Sequence, residues 1–213
     1  MLVMFNSISK FKLELFMRKL IKFVFILFIG VMCSACVNKF AAHELHNLAI
    51  EHIENGDTNG ALARLESCVD LDPDQYQARY NLASIYIGKK QCFKALEHMD
   101  VAIKLVKNEP VAHYTLAMAC DCAARELYQE KNKDGEIKVK EFSNPLQAQA
   151  VALKEHSLLT RANDNFEIYL KLVPNVEDAQ NIYDIIKVNK ERISAIADKY
   201  GHVLNANNNQ SAK

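Results

Sequence analysis

Glycine and proline are scarce in this sequence, at six and four residues, and tryptophan is absent. So few chain breakers argue against disorder and suit a helical globular domain. An excess of one charge is missing too, since 26 Lys and Arg balance 26 Asp and Glu. Five of those positives and one of the negatives precede residue 36, which leaves 21 against 25 in the remainder. No basic face results, so nucleic acid is not an expected partner. The sequence also lacks a Ser/His/Asp order, a glycine-rich phosphate loop and a His-Glu-x-x-His pattern, and the expectation is a protein that is not an enzyme. What is present is half hydrophobic and 24% charged over 213 residues, enough for one domain plus a leader.

The leader is read at residues 1–35, with the true start expected at Met17. Arg18, Lys19 and Lys22 precede an unbroken apolar run from Phe23 to Met32, and small Ser34 and Ala35 stand before Cys36. That is the layout of a secretory signal. The apolar stretch from Phe23 to Val37 is fifteen residues, short for a bilayer-spanning helix, with a signal-anchor as the alternative. The run "CSAC" resembles the lipobox of bacterial lipoproteins, although Cys33 stands where the usual residue is Leu. The resemblance implies that Cys36 receives a diacylglycerol and becomes the first residue after cleavage, tethering the chain through residues 36–41. Val37 follows, where the inner-membrane retention signal of that family has Asp, so the outer membrane facing the periplasm is the expected location.

The rest repeats. Leu48, Leu82 and Leu116 are spaced by 34, as are Ala49, Ala83 and Ala117, and Ala61 with Ala95. Small residues recur where helices must approach closely, and "NGDTNGA" at 55–61 supplies a turn,. The pattern resembles the tetratricopeptide repeat, a helix–turn–helix unit of 34 residues. Repeat one spans Ala42 to Gln75, with Leu45 at the usual Trp and Pro73 at the terminal Pro, and repeat two opens at Tyr76 and closes the 42–109 pair with Lys107 in place of its Pro. Repeat three, 110–174, carries His113, Leu116 and Ala117, then loses register and recovers it at Ala162, Phe166 and Pro174. An insertion at about 129–145 separates its helices, and the second of them is expected to start near Leu146. Residues 175–200 read as an amphipathic capping helix with Ile182, Ile186, Ile193, Ile196 and Tyr200 on one side,. The polar tail 201–213 reads as disordered. The expected fold is therefore all-α: a short helical solenoid of about three repeats, the third interrupted, with a C-terminal cap.

In tetratricopeptide domains the first helix of each pair lines a concave groove for a peptide segment. By position, the resemblance places His43, His46, Asn47 and Ile50 there from repeat one. Repeat two adds Gln77, Tyr80, Asn81 and Ser84, and repeat three adds Val111, Tyr114, Thr115 and Met118. The mix is polar-aromatic and nearly uncharged, suited to holding a peptide backbone. The carboxylate clamp for acidic chaperone tails maps to His46, Ile50, Asn81, Val111 and Thr115, and of these Asn81 alone fits. The resemblance thus implies an adaptor for another envelope protein or peptide segment, of the kind found in outer-membrane, pilus or secretion-complex assembly. A structural subunit using its convex face or insertion is the alternative, and a thiol enzyme is a third.

Six cysteines are present, and disulfides are permitted behind a secretory signal. Cys120 and Cys122 lie about 200° apart on one helix and cannot join each other. Cys92 begins one helix and either of them ends the next, so Cys92 with Cys120 or Cys122 is a candidate bond. Cys68 reads as packing. His43 and His46, three apart, are two histidines without a third metal ligand and read as groove residues. No cofactor is expected, with one candidate exception. "EKNKDGEIKVKEF" resembles an EF-hand loop, with Glu130, Asn132 and Asp134 as first ligands, Gly135 at the sharp turn, the Ile137 carbonyl, and Glu141 last,. The bland reading is a solvated charged loop.

The anchor is testable. Cys36→Ser should leave an unprocessed precursor that no longer takes up labelled fatty acid, and unchanged labelling would exclude Cys36 as the acceptor.

Overall fold

The computed structural model describes residues 17–24, 37–131 and 137–211. A short helical stretch covers 17–24, and the solenoid begins with α1 at 37–54. There follow α2 (Thr58–Leu71), α3 (Tyr76–Gly88), α4 (Cys92–Leu105), α5 (Pro110–Glu126), a hairpin of β1 (Gln129–Lys131) and β2 (Ile137–Val139), α6 (Pro145–Leu172) and α7 (Ala179–Ser211). Helices α1 and α2 share one apolar cluster, each helix from α2 onward packs on the next, and α5 also reaches back to α3. The architecture is the expected all-α solenoid of helix pairs. Among the described residues no helix is long and apolar enough to cross a membrane; Phe25 to Cys36, the core of the expected signal, lie outside them.

Local chemistry sets the helix ends. Gly56 takes φ +74° after α1, a backbone that glycine adopts without steric cost. Asp57 then caps α2, accepting from the Gly60 N–H at 2.9 Å,. Helices α5 and α6 both open with proline in the first turn, and Asn144 caps α6 by accepting from the Leu146 N–H,. The cap at Asn144 explains why α6 starts at Pro145, beside the expected Leu146.

Alanine makes the contacts between helices. Ala49, Ala83, Ala61, Ala95 and Ala117 have no exposed surface, nor do Leu65, Leu82, Met99 and Phe166. Leu48 breaks its own series: Leu82 and Leu116 are buried, whereas Leu48 is 37% exposed.

Two features depart from the sequence reading. The tether expected over 36–41 is helical from residue 37. The tail expected to be disordered continues α7 to Ser211. Helix α6 runs 28 residues, as its expected start near Leu146 implied, and extends well past an ordinary repeat helix. Its extra turns form a second apolar cluster in which Leu158 and Leu159 meet Cys92, Ala123 and Ala124.

Buried polar groups fasten the far end. Glu155, on α6, receives Arg192 of α7 at 2.9 Å and 2.5 Å and also accepts the Tyr128 hydroxyl at the base of the hairpin. Asn189 is 1% exposed and donates to Asn163 at 3.2 Å. His113 sits between the Asn165 side chain at 2.8 Å and the Lys107 carbonyl at 2.9 Å.

Of the two partners open to Cys92, the structure joins it to Cys122, with a Cα separation of 5.5 Å. The bond ties the start of α4 to the end of α5, and Cys120 lies buried and free. Closing a loop of 30 residues contributes roughly 3–4 kcal/mol in the chain-entropy model. Reduction, or Cys122→Ser, should therefore lower the urea midpoint, while Cys120→Ala under oxidising conditions should keep the thiol-free Cys92–Cys122 pair. Equal midpoints with and without reductant would remove the bond from the stability of the fold.

Candidate functional site

The first helices α1, α3 and α5 supply the face on which a groove was expected. Its centre is the middle of α3. Tyr80 and Asn81 are half-buried there and Ser84 is exposed, with the Ser84 hydroxyl donating back to the Tyr80 carbonyl at 3.1 Å. Asn81 Nδ2 lies 3.2 Å from His46 Nε2. An amide nitrogen only donates, so His46 accepts at Nε2 and must be neutral. Burial, followed by the neighbouring His43, holds the His46 pKa below the ordinary histidine value,.

Two hollows flank Tyr80. The larger, about 720 Å³, runs from the α1–α2 turn along α3 and is lined by Ile53, Asp57, Asn59, Tyr80, Asn81, Ser84 and Lys89 among others. The smaller, about 200 Å³, lies between α3 and α5 and is lined by Tyr76, Gln77, Tyr80, Ala102, Glu109, Val111 and Ala112. In the larger, the Lys89 ammonium donates to Asn59 Oδ1 at 3.0 Å. Asp57 shares its carboxylate between the Gly60 N–H and His52 at 2.9 Å, and the Gly60 bond leads in holding its pKa down.

The structure therefore brings together Gln77, Tyr80, Asn81, Ser84 and Val111. His43 and Asn47 are exposed and Ile50 half-buried on α1, none of them lining either hollow. Thr115 is corrected: at 4% exposed it belongs to the interior. The reason is the position of α5, which α3, α4 and α6 cover from three sides. Tyr114 and Met118 are half-buried for the same reason, packed against the core. The Tyr114 ring meets Phe166 edge-on at 6.0 Å and Tyr169 at 5.1 Å, and burial raises its pKa. Transfer of first-helix positions alone missed Ile53, Asp57, Asn59, Lys89 and Glu109. They sit in turns and at helix ends, where "NGDTNG" marked the bend but not its role as a wall.

The other candidate sites read differently in three dimensions. Glu130 and Ile137 lie on antiparallel strands, with Glu130 opposite Lys138, so the helix–loop–helix frame of an EF-hand does not form around them. In the strand pair Gln129 faces Val139 and Lys131 faces Ile137. Asn132 and Asp134 lie outside the described residues, and Glu141 is exposed beyond β2. Among the described residues no group of three His, Cys, Asp or Glu is placed to hold a metal. The free thiols are not activated nucleophiles. Burial pushes Cys68 up to about 11 and Cys120 up to about 12, and Cys68 donates to Gln75 Oε1 at 2.6 Å,.

Comparison with known proteins agrees with the fold. Residues 52–119 match the tetratricopeptide repeat family. The chain superposes on the first tetratricopeptide domain of Spaghetti (RPAP3) bound to an HSP90 peptide, with a TM-score of 0.51 and 18% identity, over 70% of this chain and 94% of that one. The tetratricopeptide domain of Arabidopsis OM64 gives 0.51 at 13% identity, over 72% and 98% of the two chains. MamA from Desulfovibrio magneticus RS-1 gives 0.51 at 15% identity, over 79% and 77%. No curated protein sequence matches. The fold of the chain is the tetratricopeptide-type helical solenoid, and the match to that family covers residues 52–119.

The His46–Asn81 bond gives a pH test. A histidine whose folded pKa is lowered stabilises the fold above its unfolded value and loses that contribution as pH falls. Stability should decline between pH 7 and about pH 5, and His46→Gln should decline less because Gln keeps a pH-independent acceptor. Parallel declines in denaturant melts of the two proteins would show that His46 contributes nothing.

Proposed function

We propose that this chain is a lipid-anchored adaptor of the bacterial envelope that holds an extended segment of a partner protein across α1, α3 and α5. The observation that carries the reading is the pair of hollows on either side of Tyr80, the larger walled also by Asn81 and Ser84, backed by a core without exposed surface at Leu82 and Ala83. A rigid helix presenting hydroxyl, amide and aromatic groups suits main-chain hydrogen bonding with apolar contact. The Spaghetti domain, of the same fold, is bound to an HSP90 peptide, which supports a peptide on this face. Among the clamp positions for an acidic chaperone tail only Asn81 fits, so a different segment is the expected ligand.

The anchor rests on "CSAC" and the apolar run before it, with Cys36 as lipid acceptor and the outer membrane favoured by Val37. Assembly of an outer-membrane, pilus or secretion complex is the process class such a protein would serve. A second reading, a structural subunit that docks through its insertion, is favoured by Val139 at 81% and Leu146 at 74% exposed.

Crosslinking in the native envelope followed by pull-down identifies the partner, and groove variants test the site. Tyr80→Ala with Asn81→Ala should weaken capture by on the order of 1–3 kcal/mol. Ser84→Trp, which fills the larger hollow from an exposed position, should do the same without removing a core contact. Undiminished capture by both variants, with helicity intact, would favour docking through the insertion.

A further inference from the structure

The chemistry of the two hollows restricts what kind of segment fits, and this inference rests on the groove reading. Tyr80 walls both, so a chain lying along α3 passes from one to the other. The smaller hollow has a volume of about 200 Å³ and is bounded by Tyr76, Tyr80, Val111, Ala102 and Ala112. An apolar cavity of about 150 Å³ accepts a benzene-sized group. The hollow therefore holds one Leu, Met or Phe side chain and is too small for a second.

Charge sets the flanks. Glu109 lines the smaller hollow and, among the described residues, forms no ion pair. Lys89 is the one lysine or arginine lining either hollow, and it stands at the far end of the larger one, donating to Asn59. An acidic chain end would meet the Glu109 carboxylate with no cation beside it. A basic residue next to an apolar anchor would meet a free carboxylate instead. We propose that the groove takes an internal, extended segment carrying one large apolar side chain with Lys or Arg beside it, and not an acidic chain terminus.

The test uses the purified full chain and end-blocked octapeptide pools, read by fluorescence anisotropy. One pool has a central Leu or Phe flanked by Lys, one has the same centre flanked by Glu, and one has a central Ser flanked by Lys. The Lys-flanked apolar pool should bind about fivefold tighter than the Glu-flanked pool, the size of one exposed ion pair. It should also bind about tenfold tighter than the Lys-flanked Ser pool, the size of one buried anchor. Val111→Trp should abolish the second difference, and Glu109→Gln should shrink the first while leaving the second. Equal or tighter binding of the Glu-flanked pool, still blocked by Val111→Trp, overturns this inference and leaves the groove reading standing. So does a preference for Lys that survives Glu109→Gln, or equal binding of the Ser pool. Binding of no pool overturns both.

Discussion

How closely the helices approach one another decides the shape of everything else here, and alanine sets that distance. Ala49, Ala83 and Ala117 on the first helices and Ala61 and Ala95 on the second have no exposed surface. A larger side chain at any of these places meets the facing helix and forces a shift, at a cost of roughly 1–3 kcal/mol. Because each pair touches only its neighbours, such a shift is passed along the stack as a change of pitch. The groove is then a by-product of packing: Tyr80, Asn81 and Ser84 stand where they do because Leu82 and Ala83 are clamped behind them.

That dependence explains which parts were legible in the sequence. The 34-residue period is a packing signal, so it located the helices through α5 and the return of register at Ala162 and Phe166. It described the inside of an idealised repeat and could not describe ends and neighbours. Leu48 keeps the period yet is exposed. Thr115 occupies a groove position yet is buried, since a helix in the middle of the stack is covered on more sides than one at its edge. Asn189 is the reverse case: a polar residue in an apolar register, silent in a hydrophobicity pattern, but 1% exposed and bonded to Asn163.

The insertion was hidden for a different reason. Strands of three residues each leave too short an alternation to stand out from a charged loop. In the structure it is more than a bulge between helices. Tyr128 at its base shares Glu155 with Arg192, so the hairpin, α6 and α7 meet at one buried carboxylate. Burying a charge is costly unless partners surround it. Whatever position the hairpin adopts beyond that point, its root is fixed to the cap of the solenoid.

Cys92 is gripped twice by the same helix. Its side chain is bonded to Cys122, and its backbone N–H donates to Glu126 Oε2 at 2.6 Å, with the Phe93 N–H adding a second bond at 3.2 Å. Glu126 lies one helical turn beyond Cys122, on the same side of α5. The carboxylate therefore acts as a jig. It holds the start of α4 on the side of α5 that carries Cys122 and away from Cys120, two residues earlier and buried in the interior.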